Sequence, residues 1–204
     1  MRRKTLFTNF VNVPYFTKQD LFILADKFHI SETSLNTLIQ RAIKSKTIIP
    51  LKRNYYVTKE FFIDNRNRLE YKFYLANILL KPSYISRETA LQYYGLLSEA
   101  NLNYYTSTTS KLPRKFGNSL GTFEYRNIKS ELLEGYKNIK FSIDNKDYSY
   151  VIAEPYKAIF DYIYYRTNKK NIPESKLLKI LDELRVSYGE LEQIQVNKLI
   201  NSFK

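Results

Sequence analysis

The sequence has no cysteine, no tryptophan, and a single histidine among its 204 residues. Without cysteine there can be no disulfide, no thiolate metal site and no cysteine nucleophile. A Ser-His-Asp triad would have to use His29, which lies in a predicted turn between two helices. A metal site would have to consist of carboxylates alone. Asp144 and Asp147 bracket a predicted hairpin turn, where aspartate is common for conformational reasons. The sequence therefore predicts a protein that is not an enzyme and binds no metal or cofactor.

Glycine and long apolar runs are also scarce. Only five glycines are present, and Gly117 and Gly121 lack the strand–turn–helix context of a phosphate-binding loop. No apolar run approaches the roughly 18 residues that a membrane span requires. The first residues combine charge with apolar side chains but have no small-residue cleavage site, which predicts a helix and not a signal peptide. We expect a cytoplasmic protein with cores filled by its 19 tyrosines and 13 phenylalanines.

Positive charge is abundant and unevenly distributed. The net charge is +13. Residues 1–66 hold 12 Lys and Arg against 5 Asp and Glu, whereas residues 67–204 hold 21 against 15. The positive charge is therefore denser near the N-terminus, which is typical of a phosphate-binding module. A lysine-rich surface with no special role is the alternative interpretation.

The stretch from Ser31 to Val57 gives the clearest structural prediction. Ser31 is at the N-cap position of a predicted helix. Helical spacing places four apolar side chains on one face of this helix: Leu35, Leu38, Ile39 and Ala42. Two short strands follow, separated by a turn over residues 51–54 in which Asn54 tolerates a positive φ. A polar-faced helix followed by a basic-tipped hairpin is typical of a winged helix-turn-helix.

Polar residues on this helix and hairpin are the candidate DNA contacts. Those on the helix would enter the major groove: Thr33, Ser34, Asn36, Thr37, Gln40, Arg41 and Lys44. Lys52 and Arg53 in the wing would contact phosphates, and Arg2, Arg3 and Lys4 would add backbone contacts as an arm.

Two helices are predicted before this stretch. The first covers residues 2–13. The second has Thr17 as N-cap and Asp20 at the capping-box position. Its predicted inward set is Leu21, Phe22, Leu24, Ala25 and Phe28. Residues 1–66 are thus predicted to form a winged helix-turn-helix domain.

Residues 67–204 are predicted to form an α+β domain with a small antiparallel sheet and C-terminal helices. Strands are expected at 103–109 and 121–128, with a basic loop between them, and a hairpin at 136–153. Residues 83–85 are expected to precede a helix that starts at Ser86. Another helix is expected to start at Pro155, and two more are expected at 173–185 and 189–203. The basic side chains around the first of these helices and the loop are a second candidate site: Arg87, Lys111, Arg114 and Lys115.

Several segments of this second half carry a family resemblance when taken together. PSYISRETALQYYGL at 82–96, YYTSTT at 104–109 followed by Pro113-Arg114, FEYRNI at 123–128 and AEPYKAIFDYIYYR at 153–166 occur in order behind the predicted winged helix. The chain resembles the AbiEi family of antitoxins from type IV toxin–antitoxin systems, which act in abortive infection, a form of phage defence. It departs from the family in the wing turn, where Arg53-Asn54 replaces the common Arg-Gly.

The resemblance implies two functions. The winged helix would bind inverted repeats in double-stranded DNA of its own promoter and repress transcription. Apart from the resemblance, the sequence has no heptad run, so we expect a monomer that binds each half-site. The C-terminal domain would neutralise a nucleotidyltransferase-like toxin without a stable complex. The basic group is a candidate for this function or for contact with RNA, and ordinary surface charge is the alternative interpretation: Arg87, Lys111, Arg114 and Lys115. The alternative is a winged-helix protein-interaction module, or a transcriptional regulator without antitoxin activity.

Overall fold

The computed structural model describes residues 5–97, 103–167 and 173–183. Over these residues the chain is a mixed α/β protein with eight α-helices and nine strands arranged in two sheets. Its contacts divide it into two units. The first comprises Met1–Lys72 with Phe116–Gly121, and the second comprises Phe73–Lys115 with Thr122–Lys204. None of the described helices is long and apolar enough to cross a membrane.

The first unit alternates short helices with a three-stranded antiparallel sheet of order β1-β3-β2. Its elements are α1 (Thr5–Thr8), β1 (Phe16–Thr17), α2 (Lys18–Asp26), α3 (Glu32–Lys44), β2 (Ile48–Lys52), β3 (Tyr55–Thr58) and α4 (Lys59–Asn65). Where the sequence predicts a helix over 2–13, α1 is a single turn followed by further turns. Residues 2–4 of that prediction lie outside the described residues.

Side-chain caps define where α2 and α3 begin. Thr17 and Asp20 form a reciprocal capping box at the start of α2, as predicted. The Ser31 hydroxyl accepts a hydrogen bond from the Ser34 amide at 3.3 Å, which confirms Ser31 as the N-cap of α3. Asn54 has a φ of 65°, which closes the β2–β3 turn in the predicted place. Each cap satisfies an amide that the helix itself leaves unpaired.

One apolar cluster holds the first unit together. Leu35, Ile39 and Ala42 of α3 are buried in it, as predicted. The other members come from α1, β1, α2, β2 and β3: Leu6, Phe7, Phe16, Leu21, Ala25, Ile48 and Tyr56. The inward set predicted for α2 was wrong for Phe22 and Phe28, whose side chains are exposed. Phe22 follows the buried Leu21 by one residue and so points about 100° away from it, and Phe28 lies beyond the end of α2.

The second sheet has six strands in the order β6-β7-β5-β4-β9-β8, and its residues belong to the second unit except for 116–118 of β6 and Gly121 of β7. Its strands are β4 (Tyr84–Ile85), β5 (Tyr104–Thr109), β6 (Arg114–Asn118), β7 (Gly121–Asn127), β8 (Tyr136–Ile143) and β9 (Lys146–Ala153). The remaining helices are α5 (Leu69–Leu79), α6 (Arg87–Tyr93), α7 (Pro155–Thr167) and α8 (Glu174–Glu183), with a 3-10 turn at Ser130–Leu132. The helix predicted over 189–203 lies outside the described residues.

The predicted small antiparallel sheet was wrong in size and in strand direction. β5 and β7 are parallel, and so are β4 and β9. The two-residue β4, which was predicted only as the lead-in to a helix, lies between β5 and β9. The predicted basic loop contains β6 at the sheet edge, where a strand can be exposed and can follow a proline. The hairpin over 136–153 agrees with the prediction, and Asp144 and Asn145 adopt positive φ in its turn.

A buried carboxylate connects the strands of the second unit to α7. Asp161 is fully buried, and its Oδ2 accepts hydrogen bonds from the hydroxyls of Tyr84, Ser86 and Thr108 at 2.9, 2.6 and 3.0 Å. Lys157, one turn earlier, places its Nζ 2.8 Å from Oδ1 and also donates to a backbone carbonyl. Ser86, the predicted start of a helix, is the N-cap residue of α6, but its side chain makes no capping bond and its hydroxyl instead binds Asp161. Burial of a carboxylate is tolerated when hydrogen-bond donors and a counter-charge surround it in this way.

We expect Lys157→Met to lower the free energy of unfolding by about 3 kcal/mol, because it removes the counter-charge and leaves a buried carboxylate. Urea unfolding of the full chain followed by circular dichroism measures the change. Lys140→Met, at an exposed position of β8, is the matched control and should change stability by less than about 0.5 kcal/mol. Equal stabilities for the two variants would contradict the role given to this ion pair.

Candidate functional site

The solvent face of α3 brings together the residues that the sequence predicts for DNA contact. Because Leu35, Ile39 and Ala42 point into the core, the intervening positions must point outward. All seven predicted helix residues are exposed: Thr33, Ser34, Asn36, Thr37, Gln40, Arg41 and Lys44. The structure thus places this predicted set on one face.

Hydrogen bonds within α3 orient two of its hydroxyl side chains. The Thr37 hydroxyl donates to the Thr33 carbonyl at 3.0 Å, and the Ser31 hydroxyl donates to that of Ser34 at 3.0 Å. Glu32, the acidic residue of the first turn, is neutralised by Lys18 at 2.9 Å. The positive end of the helix dipole is therefore exposed to an incoming phosphate with little opposing charge.

A recess of about 680 Å³ lies along the beginning of α3. Its walls combine hydroxyls and one guanidinium at the start of α3 with apolar side chains from α1, α3 and the turn before α3. The lining residues are Leu6, Phe28, His29, Ile30, Ser31, Thr33, Ser34, Thr37, Leu38 and Arg41. His29 has a φ of 53°, in the left-handed region, and it ends the tight turn between α2 and α3. The recess thus gathers four of the predicted contact residues around a surface with polar and apolar parts.

The two wing cations differ in their surroundings. Arg53 is exposed at the tip of the β2–β3 turn. Lys52 is half-buried, with its Nζ 3.9 Å from the ring centroid of Tyr55. The Asn118 amide donates to the Leu51 carbonyl at 2.9 Å, which supports the base of the turn. Arg53 is therefore the better placed of the two for a contact outside the protein. The predicted arm of Arg2, Arg3 and Lys4 lies outside the described residues.

The basic group predicted in the second unit divides into buried and exposed members. Arg87 is only 1% exposed and has a φ of 56°. Lys111, Arg114 and Lys115 are exposed. Arg114 and Lys115 line a surface cleft that consists of two adjoining recesses, and Arg87 lines the smaller of these recesses. Lys111 lines neither recess. Arg87, Arg114 and Lys115 are thus associated with one cleft, although the burial of Arg87 was not expected.

A carboxylate that the prediction missed lies beside Arg87 and a further arginine, Arg126. Glu124 of β7 binds the buried Arg87 through Oε2 at 3.0 Å and lies 3.6 Å from Arg126 through Oε1. Burial alone would raise the pKa of Glu124, but the charge and hydrogen bond of Arg87, with Arg126 and Lys115, outweigh it and hold that pKa below its ordinary value. Glu124 is therefore a stable anion among cations.

Strand alternation is the sequence signal that identifies Glu124 and Arg126. In β7 the buried Phe123 and Tyr125 face the core, so Glu124 and Arg126 share the opposite face. Tyr165 on α7 could not be found this way. Its hydroxyl donates to the Arg126 carbonyl at 3.2 Å, and burial raises its pKa, so it is a neutral donor.

Neither the family-model scan nor the search of curated proteins found a match to this chain.

The depressed pKa of Glu124 predicts a specific pH dependence of stability. Ionised Glu124 stabilises the fold above its ordinary pKa of about 4.3, and this contribution is lost as pH falls through the folded-state pKa. We therefore expect the stability difference between wild type and Glu124→Gln to be full at pH 7 and to shrink below about pH 4.5. Urea unfolding at a series of pH values measures it.

The matched control for this experiment is Glu134→Gln, at an exposed position, which should give a small difference at every pH. A difference for Glu124→Gln that stays constant, or grows as pH falls, would contradict the assignment of Glu124 as the ionised partner of Arg87.

Proposed function

We propose that the first unit is a winged helix-turn-helix that binds double-stranded DNA. The observation that carries the proposal is the division of α3 into a core face and a polar face free of acidic residues beyond the neutralised Glu32. The order of elements supports it, because α2 and α3 are followed by the β2–β3 hairpin with Arg53 at its tip. The excess of Lys and Arg over residues 1–66 supplies the long-range attraction to phosphates.

In this proposal α3 lies in the major groove and the hairpin follows the adjacent backbone. A helix of 13 residues is about 20 Å long, enough to cross the groove. Asn36 and Gln40 have amide groups that can pair with adenine, and Arg41 can reach a guanine or a phosphate. Thr33 and Ser34, near the start of the helix, suit phosphate oxygens.

We further propose that this DNA is the protein's own promoter and that the chain is a type IV antitoxin. Support comes from the ordered resemblance to AbiEi antitoxins, which covers both the first unit and the segments 82–96, 104–109, 123–128 and 153–166. The protein would repress its operon through paired inverted repeats. The second unit would counteract a nucleotidyltransferase-like toxin, and its basic cleft is the candidate region for this activity.

A protein-interaction module is the second candidate function. Phe22 and Ile23 on α2 are exposed apolar side chains, at 42% and 53%, and adjacent apolar side chains on a helix favour contact with another protein. DNA binding that depends on α3 and the wing separates the two candidates, because a scaffold would not require Arg41 or Arg53.

Arg53→Ala tests the wing. Loss of one phosphate contact should weaken binding to specific and non-specific DNA alike and reduce the slope of log K against log salt by about 1. Lys52→Ala should weaken DNA binding and change the salt slope less than Arg53→Ala does, because the Lys52 ammonium already lies over the Tyr55 ring. Fluorescence anisotropy over a salt series measures the slope, and Arg66→Ala, exposed after α4, is the control. A wild-type slope in Arg53→Ala would remove the wing from the interface.

Arg41→Ala tests base reading by α3. If Arg41 contacts a guanine, the ratio of affinities for upstream DNA and for a scrambled sequence of equal length should fall about tenfold, since a bidentate base contact contributes about 1–3 kcal/mol of discrimination. The same assay on Lys27→Ala, an exposed cation just after α2, should leave the ratio unchanged. An equal loss of affinity for both DNAs would assign Arg41 to a phosphate instead of a base.

A further inference from the structure

The second unit contains a cleft formed by two recesses that share Glu124 and Arg126. The smaller recess, about 280 Å³, is lined by Arg87, Glu88, Gln92, Tyr104, Thr106 and the two shared residues. The larger, about 510 Å³, is lined chiefly by Arg114, Lys115 and Tyr165 around the shared pair. Together they reach the size of pockets that bind small ligands, which is typically about 300–1,000 Å³. The proposed DNA-binding function of the first unit does not involve this cleft.

The charges of the cleft leave a positive excess. Its cations are Arg87, Arg114, Lys115 and Arg126, and its anions are Glu88 and Glu124. The cleft therefore carries two more positive than negative charges. Glu124 is held by Arg87 and by the Nε of Arg126. The Arg126 side chain is 46% exposed, so its guanidinium is accessible to an anion, and a guanidinium can bind two oxygens of a tetrahedral anion at once.

Arg87 distinguishes the cleft from a merely solvated group of surface charges. Its side chain is almost fully buried in the wall of the smaller recess, and its Nε has no hydrogen-bond partner among the described residues. Its φ of 56° is a strained conformation for a residue with a side chain, costly enough to persist only where the surroundings enforce it. Such strain is concentrated at binding and active sites in general.

Aromatic rings hold the cations of the cleft in place. The guanidinium groups of Arg87 and Arg126 both lie near the Tyr165 ring, with their central carbons 5.4 and 5.8 Å from its centroid. The Nζ of Lys115 lies 5.3 Å from the centroid of Tyr104. These cation–π contacts reduce the side-chain freedom that an anion would otherwise have to restrict on binding.

We propose that this cleft binds a phosphate monoester, the terminal phosphate of a nucleotide or of a nucleic-acid end. A monoester carries a charge near −2 at neutral pH, which matches the excess of two positive charges. A carboxylate or a phosphodiester carries only −1 and would leave one charge uncompensated. Arg126, Arg114 and Lys115 contact the phosphate, whereas Arg87 is a positioning residue that fixes Glu124 and, through it, Arg126.

Calorimetric titration of the full chain with AMP, inorganic phosphate and adenosine tests the proposal. AMP and phosphate should bind and adenosine should not, because only the first two carry the dianion. Arg126→Gln and Lys115→Gln should each weaken AMP binding about tenfold, the usual effect of one charged hydrogen bond. Lys140→Gln, on the opposite edge strand of the same sheet, is the matched control and should bind AMP as wild type does.

Two further measurements identify the ligand. AMP affinity should fall as pH is lowered from about 7.5 to about 5, since the second ionisation of a monoester has a pKa near 6. Competition by a tetranucleotide with a 5′-phosphate that exceeds competition by its 5′-hydroxyl form supports a nucleic-acid end, whereas AMP binding without such a difference supports a free nucleotide. The proposal is overturned if AMP and phosphate do not bind, if adenosine binds as well as AMP, or if Lys140→Gln weakens AMP binding as much as Arg126→Gln does.

Discussion

The first unit depends on the burial of one face of α3. Leu35, Ile39 and Ala42 lie in the same cluster as side chains from every other element of the unit's sheet and helix pair. This anchoring fixes the rotation of the helix about its axis, so that Asn36, Gln40 and Arg41 have to face solvent. The same packing that stabilises the unit therefore determines which side chains a partner can meet.

In the second unit, the buried charge of Asp161 determines the position of candidate site residues. Asp161 accepts three hydroxyl hydrogen bonds and pairs with Lys157, and this arrangement fixes Ser86 at the turn into α6. Arg87 follows directly, in its strained left-handed conformation, with its guanidinium held by Glu124 at 3.0 Å. The network around Asp161 thus restrains the turn that places Arg87 in the cleft.

Local signals explain which parts of the fold could be predicted from sequence. The caps at Thr17 and Ser31 and the turn at Asn54 depend on residues within four positions of one another, so the pattern is readable along the chain. β1 and β4 have two residues each and carry no periodicity. Their existence depends on partners distant in sequence, which is also why the parallel pairing of β5 and β7 was missed.

The same distinction applies to the candidate sites. The α3 residues are exposed as helical periodicity predicts. Arg87 was grouped with surface cations because arginine is rarely buried, whereas in the structure its buried guanidinium pairs with Glu124, which is 37 residues away in sequence. Ser86 shows the opposite error, since its position before a helix predicts a cap, whereas a carboxylate 75 residues away takes its hydroxyl.

The central claim is that α3 and the wing read DNA, and hydroxyl-radical footprinting of the full chain on the DNA upstream of its own gene tests it most directly. We expect protection of two inverted repeats at moderate salt, and this protection should weaken as the salt concentration is raised because counterions compete for the phosphates. Uniform protection along the DNA, or none at low salt, would contradict the claim and would leave the first unit as a scaffold for binding other proteins.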